Sequence, residues 1–223
     1  MKKILVSAVA SLMLLSGTAN ANDEQSIGAS IGSIGIDAEY SKLIYPNVAL
    51  RIAGGGFSYD GSYNDTDAHY ETDLNLVNLG VTVEYHPLDN GLYVGAGLFY
   101  QNNTVDLSAK AIDGKYTFNG HDYGADAGTI TGSIGGVNNL VPYLGIGYDA
   151  SLIDDGNLFF TAKVGVWYQG EPEVELSVKD CKLPAGVCTE LKKDLLVEEN
   201  DINDDIEDYK FWPVLQVGIS YRF

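Results

Sequence analysis

Basic residues and long hydrophobic runs are both scarce in this sequence. Lys and Arg number 13 against 31 Asp and Glu, which gives a formal net charge of −18 at pH 7. So acidic a chain is unsuited to nucleic acid or to an anionic surface as a partner. Beyond residue 21, no apolar run reaches the roughly 18 residues that a membrane-crossing helix needs. We therefore predict no transmembrane helix in the mature chain.

Cysteine and histidine are rare as well. Cys181 and Cys188 lie close together in CKLPAGVC with no histidine nearby, which in an exported protein favours a local disulfide over a metal site. The sequence contains no Gly-x-Ser-x-Gly elbow. His69 and His121 lie in polar stretches that we interpret as loops. We therefore predict that the protein is not an enzyme and holds no cofactor and no metal.

The N-terminus has the features of a secretory signal peptide. A Lys-Lys pair precedes the apolar run ILVSAVASLMLL, and Ala-Asn-Ala at 19–21 is a small-x-small cleavage site. We predict a signal peptide over residues 1–21 and one exported domain over residues 22–223.

Glycine and tyrosine, in contrast, are abundant, with 26 and 15 residues. This composition suits short, closely packed strands with aromatic residues at membrane interfaces. In eight segments, apolar side chains alternate with small or polar ones at the period of two that is typical of a strand. These segments are 26–31, 34–41, 48–53, 77–86, 92–101, 140–149, 158–169 and 211–223.

Short turns alternate with long polar stretches between these segments. The turns lie at 45–47, 87–91 and 154–157, and the long stretches at 60–69, 109–139 and 179–208. Short periplasmic turns and long extracellular loops are typical of outer-membrane barrels. We predict an all-β fold, an eight-stranded antiparallel transmembrane β-barrel, over the alternative of a soluble sandwich. A competing hairpin at Asp113-Gly114, between 105–112 and 115–118, is interpreted as a strand extension above the membrane.

The mixed faces of the strands carry charged side chains, which a barrel would direct into its lumen. An eight-stranded barrel is just wide enough for side chains to fill its interior, and an isolated charge there is costly. We expect a nearly closed lumen in which basic residues bridge to acidic ones, either as a fixed structural network or as a gate for water and a small cation. The predicted lumen charge network consists of Asp37, Glu39, Arg51, Glu84, Asp149, Lys163 and Arg222.

Two acidic features lie between the seventh and eighth segments. Glu173 and Glu175 occupy positions that would face the lumen if the preceding strand continued in the same alternation. This predicts either an acidic mouth that favours cationic solutes or a solvated loop base. The stretch 190–208 is strongly acidic, with apolar residues spaced for a short amphipathic helix after Thr189. It lacks the glycine and final glutamate of a calcium loop, which favours a solvated acidic face.

Four stretches resemble a known family. GLYVGAG (91–97), PYLGIGY (142–148), GEPEVEL (170–176) and PVLQVGISYRF (213–223) resemble the small outer-membrane barrels of the CarO type, the ornithine-uptake or carbapenem-associated porins, and more distantly the OmpA membrane domain. The resemblance implies a bacterial outer-membrane location among lipid and lipopolysaccharide, with the long loops extracellular. It also implies assembly by the barrel-assembly machinery, which would read the terminal aromatics Tyr221 and Phe223, and passage of small cationic solutes.

We therefore expect a narrow cation-preferring channel for small solutes such as basic amino acids. The alternative is a closed structural or surface-recognition barrel, adhesin-like, that acts through its long extracellular loops.

Overall fold

The computed structural model describes residues 24–64, 68–88, 90–111, 115–136, 138–153 and 156–223. The predicted signal peptide and the Asp113-Gly114 turn lie outside these ranges. Among the described residues, no helix has both the length and the apolar character needed to cross a membrane.

The described chain contains thirteen strands, one α-helix and a short 3-10 helix, Ala125–Ala127. The strands are β1 (Gln25–Gly32), β2 (Gly35–Tyr45), β3 (Val48–Asn64), β4 (Ala68–Tyr85), β5 (Leu92–Gln101), β6 (Thr104–Ala111), β7 (Lys115–Phe118), β8 (His121–Gly124), β9 (Thr129–Gly136), β10 (Leu140–Asp149), β11 (Leu158–Tyr168), β12 (Pro172–Lys179) and β13 (Phe211–Arg222). The helix α1 spans Ala185–Ile206.

Eight of these strands close into a barrel. Their order is β4-β3-β2-β1-β13-β11-β10-β5, and the pairing of β5 with β4 completes the ring. Every pairing is antiparallel. The N-terminal strand β1 is a full member, because Ile27 is paired with both Tyr40 and Tyr221. The predicted eight-stranded antiparallel barrel is confirmed.

The outside of the barrel is apolar, as a lipid-facing surface must be. Along β13, exposed residues alternate with buried ones, so the aliphatic residues that sequence alternation assigned to one face lie outside. Aromatic residues lie at both ends of this belt. At the end with the short turns they are Tyr45, Tyr85, Tyr148, Tyr221 and Phe223, and at the other end Tyr100, Tyr168 and Phe211. We call the first the turn end and the second the loop end.

At the loop end, the sheet continues beyond the barrel. Residues 78–85 of β4 pair with β5, whereas residues 68–75 pair with β6. Strands β9 and β12 then extend the sheet past β6. We call the part of the molecule beyond the barrel the loop-end module. It consists of β6–β9, β12, α1 and the paired ends of β3 and β4, residues 57–64 and 68–76. The segments flanking the predicted 113–114 hairpin are both strands, but β6 pairs with β4 and β9, and β7 pairs with β8.

Helix α1 covers the edge strand of this module. Leu191 and Leu195 are buried in a cluster with Ile130 of β9. Asn203 Oδ1 accepts the Val174 N–H at 2.7 Å, and Glu199 Oε2 accepts the Leu176 N–H at 2.7 Å. The helix therefore satisfies donors that an uncovered edge strand would leave open to another chain.

Candidate functional site

Arg51 lies at the centre of the lumen. Its β3 neighbours on the same face are Ala49 and Ala53, whose small side chains leave room for the guanidinium. Nε contacts Glu84 Oε1 at 2.7 Å, Nη1 contacts Glu39 Oε2 at 2.6 Å and Nη2 contacts Asp149 Oδ2 at 2.7 Å. Arginine is suited to this position because its rigid fork of donors can bond several carboxylates at once.

Glu39 joins the second lumen base to this network. Its Oε1 accepts from Lys163 Nζ at 2.5 Å and from Ser30 Oγ at 2.5 Å, while its Oε2 is held by Arg51. The network consists of Glu39, Arg51, Glu84, Asp149 and Lys163, five of the seven residues predicted for it.

Asp37 also lies in the lumen, but its bonds are to amides rather than to a base. Asn78 Nδ2 donates to Oδ1 at 2.9 Å, and Gln216 Nε2 donates to Oδ2. Neither amide was predicted as a site residue, although both occupy lumen-facing positions of their strands. Four lumen acids (Asp37, Glu39, Glu84, Asp149) and two bases (Arg51, Lys163) leave a formal charge of 2 − 4 = −2.

Among the described residues, Arg222 makes no ion pair with a member of the network, contrary to expectation. It is the last residue of β13, opposite Ser26 at the turn end, where it pairs with an acid at the start of the described chain rather than with a lumen acid. Its Nη2 contacts Glu24 Oε1 at 3.2 Å. Asp149 is held instead by Arg51 and by the N–H of Ser151 at 2.9 Å.

Aromatic side chains fill the loop-end half of the lumen. The ring centroid of Phe99 is 5.1 Å from that of Trp167 and 5.6 Å from that of Tyr143. A Cβ on Gly80 would come within 2.2 Å of the Phe99 ring, so glycine is needed there to accommodate the ring. We call this cluster the aromatic plug: Ile34, Ala53, Phe99, Val141, Tyr143, Trp167, Trp212 and Val214.

The turn end is closed too, by the chain that follows β10. Ala150, Ser151 and Leu152 are all buried, and Ser151 Oγ bonds Ser26 Oγ at 3.0 Å across the opening. Within the described lumen, a cavity of about 10 Å³ remains between Arg51 and Gln216, and one of about 50 Å³ lies against Trp212. The first has room for about one water molecule, so this structure is a closed state.

Glu173 and Glu175 do not form a mouth over the lumen. The backbone turns at Gly170, which has φ +80°, and β12 then pairs with β9 instead of continuing β11. The two glutamates therefore do not face the lumen, and the residue between them, Val174, is the buried one. Both glutamates lie on the polar outer face of the loop-end module.

That outer face carries a row of four acids and one serine that the sequence did not predict. Asp60, Asp73, Asp106, Ser133 and Glu175 are successive cross-strand partners. Loss of contact with water and the neighbouring carboxylates, Asp60 first, raise the pKa of Asp73. Four of these residues border an open groove of about 710 Å³. The register between distant segments creates this row, so no local motif could have indicated it.

The remaining predicted residues lie near the two ends of the barrel. Cys181 and Cys188 form a disulfide, with an S–S distance of 1.96 Å, at the start of α1. Tyr221 and Phe223 are exposed at the turn end. His121 lies in the loop-end module, where its Nδ1 is 2.8 Å from Asp194 Oδ2.

Asp194 links α1 to the β7–β8 hairpin. Tyr123 Oη donates to its Oδ2 at 2.5 Å, and Asn119 Nδ2 donates to its Oδ1 at 3.1 Å. These bonds, together with His121, lower the pKa of Asp194. Burial and the adjacent carboxylate raise the pKa of Tyr123 to about 12.

Solved structures provide the comparison with known proteins. CarO from Acinetobacter baumannii is 26% identical, with a TM-score of 0.60, and the match covers 89% of this chain and 97% of CarO. CarO2 from the same organism is 24% identical, with a TM-score of 0.61, and the match covers 90% and 98%. No protein-family model and no curated protein matches the sequence. The predicted resemblance to CarO-type barrels is confirmed, and these neighbours support a bacterial outer-membrane location.

Proposed function

We propose that this outer-membrane barrel is a narrow, gated, cation-preferring channel for small solutes such as basic amino acids. The observation that carries the proposal is the charge of the lumen. Four buried acids share the lumen with one buried base, Arg51, and one partly buried base, Lys163. An excess of acids in a low-dielectric passage attracts cations and repels anions.

In this proposal the gate consists of side chains. Phe99, Tyr143 and Trp167 occupy the loop-end half of the lumen, and the ion pairs of Arg51 occupy the half below it. Rotation of side chains and exchange of ion-pair partners would widen the passage without unpairing any strand. A closed resting state is therefore compatible with intermittent conduction.

Conductance of the refolded mature chain in a planar bilayer tests the proposal, with folding verified by heat-modifiable migration. We expect discrete, cation-selective steps. Glu84→Gln should reduce the cation selectivity, because it removes a charge from the lumen. Arg222→Gln is the matched control and should leave selectivity unchanged, because Arg222 lies at the turn end beside Glu24. A folded protein that stays silent would rule out the channel.

The loop-end module supports a second candidate, surface recognition. It is an ordered sheet covered by a disulfide-linked helix, with an acid-lined groove of about 710 Å³. If this module faces the outside of the cell and binds a partner there, replacing residues 171–209 by a short turn should abolish binding of cells to that partner. The barrel should still fold, because its eight strands close without this segment.

A further inference from the structure

The end of β3 that extends beyond the barrel forms an edge of the sheet in the loop-end module. Strand β2 pairs with β3 only as far as Gly56, opposite Ile36, whereas β4 pairs with β3 as far as Asn64. Residues 57–64 therefore have β4 on one side and, among the described residues, no strand on the other. We call this open side of residues 57–64 the β3 edge. The opposite edge of the same sheet, β12, is covered by α1, whereas an open edge is a place where another extended chain can pair.

The backbone groups at the β3 edge follow from the strand register. The His86 N–H donates to the Asn47 carbonyl at 2.8 Å, and the register between β3 and β4 then continues without a shift to the end of β3. Hydrogen-bonded pairs alternate with non-bonded pairs in an antiparallel ladder, so the odd-numbered residues of β3 bond to β4. The N–H and C=O groups of Ser58, Asp60 and Ser62 therefore point away from β4, where an added strand could bond them.

One face of the sheet beside this edge is acidic. Asp60 and Asp73 are direct cross-strand partners, and Glu71 and Asp106 lie on the same face of β4 and β6. Lys110 is the basic residue on this face of the three described strand segments nearest the edge. With histidine counted as neutral, their formal charge is 1 − 4 = −3. Basic side chains on an added strand would be attracted to this face, and acidic ones would be repelled.

The other face of the edge is aromatic. Tyr59 and Tyr63 point to the side opposite Asp60, because side chains alternate along a strand, and their exposed fractions are 49% and 67%. Gly61 lies between them, and the Tyr59 ring lies so close that a Cβ on Gly61 would be 3.0 Å from it. Tyr70 is the cross-strand partner of Tyr63 and is also exposed. These rings offer contact area to apolar side chains.

We propose that the β3 edge binds an extended cationic peptide by strand addition. The peptide backbone pairs with the outward groups of Ser58, Asp60 and Ser62. Its basic side chains lie on the acidic face, and the alternate, apolar side chains pack on Tyr59 and Tyr63.

The charge of the acidic face selects this occupant over a second copy of the chain. Pairing of two β3 edges would bring two acidic faces together, and like charges on neighbouring strands are destabilising. The site goes beyond the proposed channel and lies outside residues 171–209. Neither the bilayer recordings nor the replacement of that segment decides whether it exists.

Binding of synthetic peptides to the refolded full mature chain in neutral-detergent micelles tests the proposal. The probe is a labelled peptide of alternating Lys and Val, eight residues long and capped at both ends. Its fluorescence anisotropy is titrated at physiological ionic strength, with empty micelles as the blank. We expect saturable binding to the protein.

Three control peptides separate strand addition from charge attraction. The first alternates Glu and Val, the second has all its Lys before all its Val, and the third is the probe N-methylated at every second residue. The first reverses the charge, the second loses the alternation of faces, and the third loses the donors of one backbone edge. Each should bind at least about tenfold more weakly than the probe.

Variants of the protein connect binding to the edge. Ser62→Pro removes one outward N–H while leaving the ladder with β4 in place, as proline on an edge strand does, and should weaken binding about tenfold. Asp60→Asn removes one charge of the acidic face and should weaken binding up to about fivefold, as for an exposed ion pair. The matched control is Asp201→Asn on α1, an exposed acid, which should leave the affinity unchanged.

Amide hydrogen exchange of the unmodified chain gives a second readout, by residue-resolved NMR. In the free protein, the amides of Ser58, Asp60 and Ser62 should exchange quickly, whereas those of Tyr59 and Gly61 should be protected by β4. Saturating probe should slow the first set at least about tenfold, because an added strand covers it.

Equal affinity for the probe and its N-methylated form, or unchanged exchange of the Ser58, Asp60 and Ser62 amides at saturation, would overturn strand addition. Equal binding of the Lys and Glu peptides would overturn the cationic partner. A concentration-dependent dimer that Ser62→Pro abolishes would assign the edge to a second copy of the chain instead.

Discussion

Arg51 connects three strands of the barrel across its lumen. It contacts Glu39 on β2, Glu84 on β4 and Asp149 on β10, and its exposed fraction is 4%. Asp149 and Arg51 come from strands that are not neighbours in the sheet, so this pair spans the interior. Such a network stabilises the fold only while every member is paired, because each charge is buried.

Arg51→Met should therefore destabilise the barrel strongly. It leaves three buried carboxylates without their shared partner, and breaking a buried pair typically costs about 3–5 kcal/mol. The free energy of unfolding in urea, measured in lipid or detergent, checks this. Arg222→Met is the matched control, with an expected loss under about 1 kcal/mol because the Arg222–Glu24 pair is partly exposed. Equal losses for the two variants would contradict a stabilising role for the network.

At the scale of elements, α1 is attached to the loop-end module through Asp194. The bonds from Tyr123 and Asn119 lower the pKa of Asp194, so the folded state favours its ionised form. The stability that this group contributes is present above the unfolded pKa of about 4 and is lost as pH falls through the lower folded value. For Tyr123, with a pKa raised to about 12, the contribution is present below its unfolded pKa of about 10 and is lost as pH rises through the folded value.

We therefore predict that docking of α1 is stable between about pH 5 and pH 9 and weakens on both sides of this window. Hydrogen exchange of the α1 amides as a function of pH measures it. Asp194→Asn should remove the acidic limb of the profile, and Tyr123→Phe the alkaline limb. The measured rates are corrected for the pH dependence of intrinsic amide exchange. If neither substitution then changes the pH profile, these bonds do not hold the helix.

The sequence predicts the barrel strands well and the loop-end module poorly, for a physical reason. In β13, each lipid-facing residue alternates with a lumen residue, so the strand can be recognised from its own short segment of sequence. The acidic row depends on the register among five strands, from Asp60 to Glu175, which no local pattern records. Glu173 illustrates the limit of reading a strand pattern across a turn. The chain turns at Gly170, a glycine with positive φ, so Glu173 does not face the lumen as the alternation predicted.

For the lumen, the sequence indicates which charges face inward but not how they pair. Arg51 and Arg222 have the same alternation in the sequence, yet Arg51 contacts three lumen acids whereas Arg222 contacts Glu24 at the turn end. Asn78 and Gln216 were overlooked because a neutral amide on a strand has no distinctive pattern. Their role beside Asp37 depends on side chains from three strands meeting.

At the scale of the whole molecule, the aromatic plug closes the loop-end half of the lumen. Trp167 is almost fully buried, at 1% exposure, and packs against Phe99. Trp167→Ala should cost about 3–5 kcal/mol of stability through the cavity that it leaves. That cavity should join the space against Trp212 to the polar lumen below.

We expect Trp167→Ala to raise the single-channel conductance severalfold over the wild type while keeping its cation preference, because the lumen acids are untouched. Planar-bilayer recordings of the refolded variant check this. Phe160→Ala is the matched control on the same strand. Its side chain is 60% exposed on the lipid-facing side, so conductance should not change. Equal conductance in a folded Trp167→Ala and the wild type would mean that the barrier to ions lies elsewhere, in the ion pairs of Arg51 or in the buried chain at 150–152 that closes the turn end.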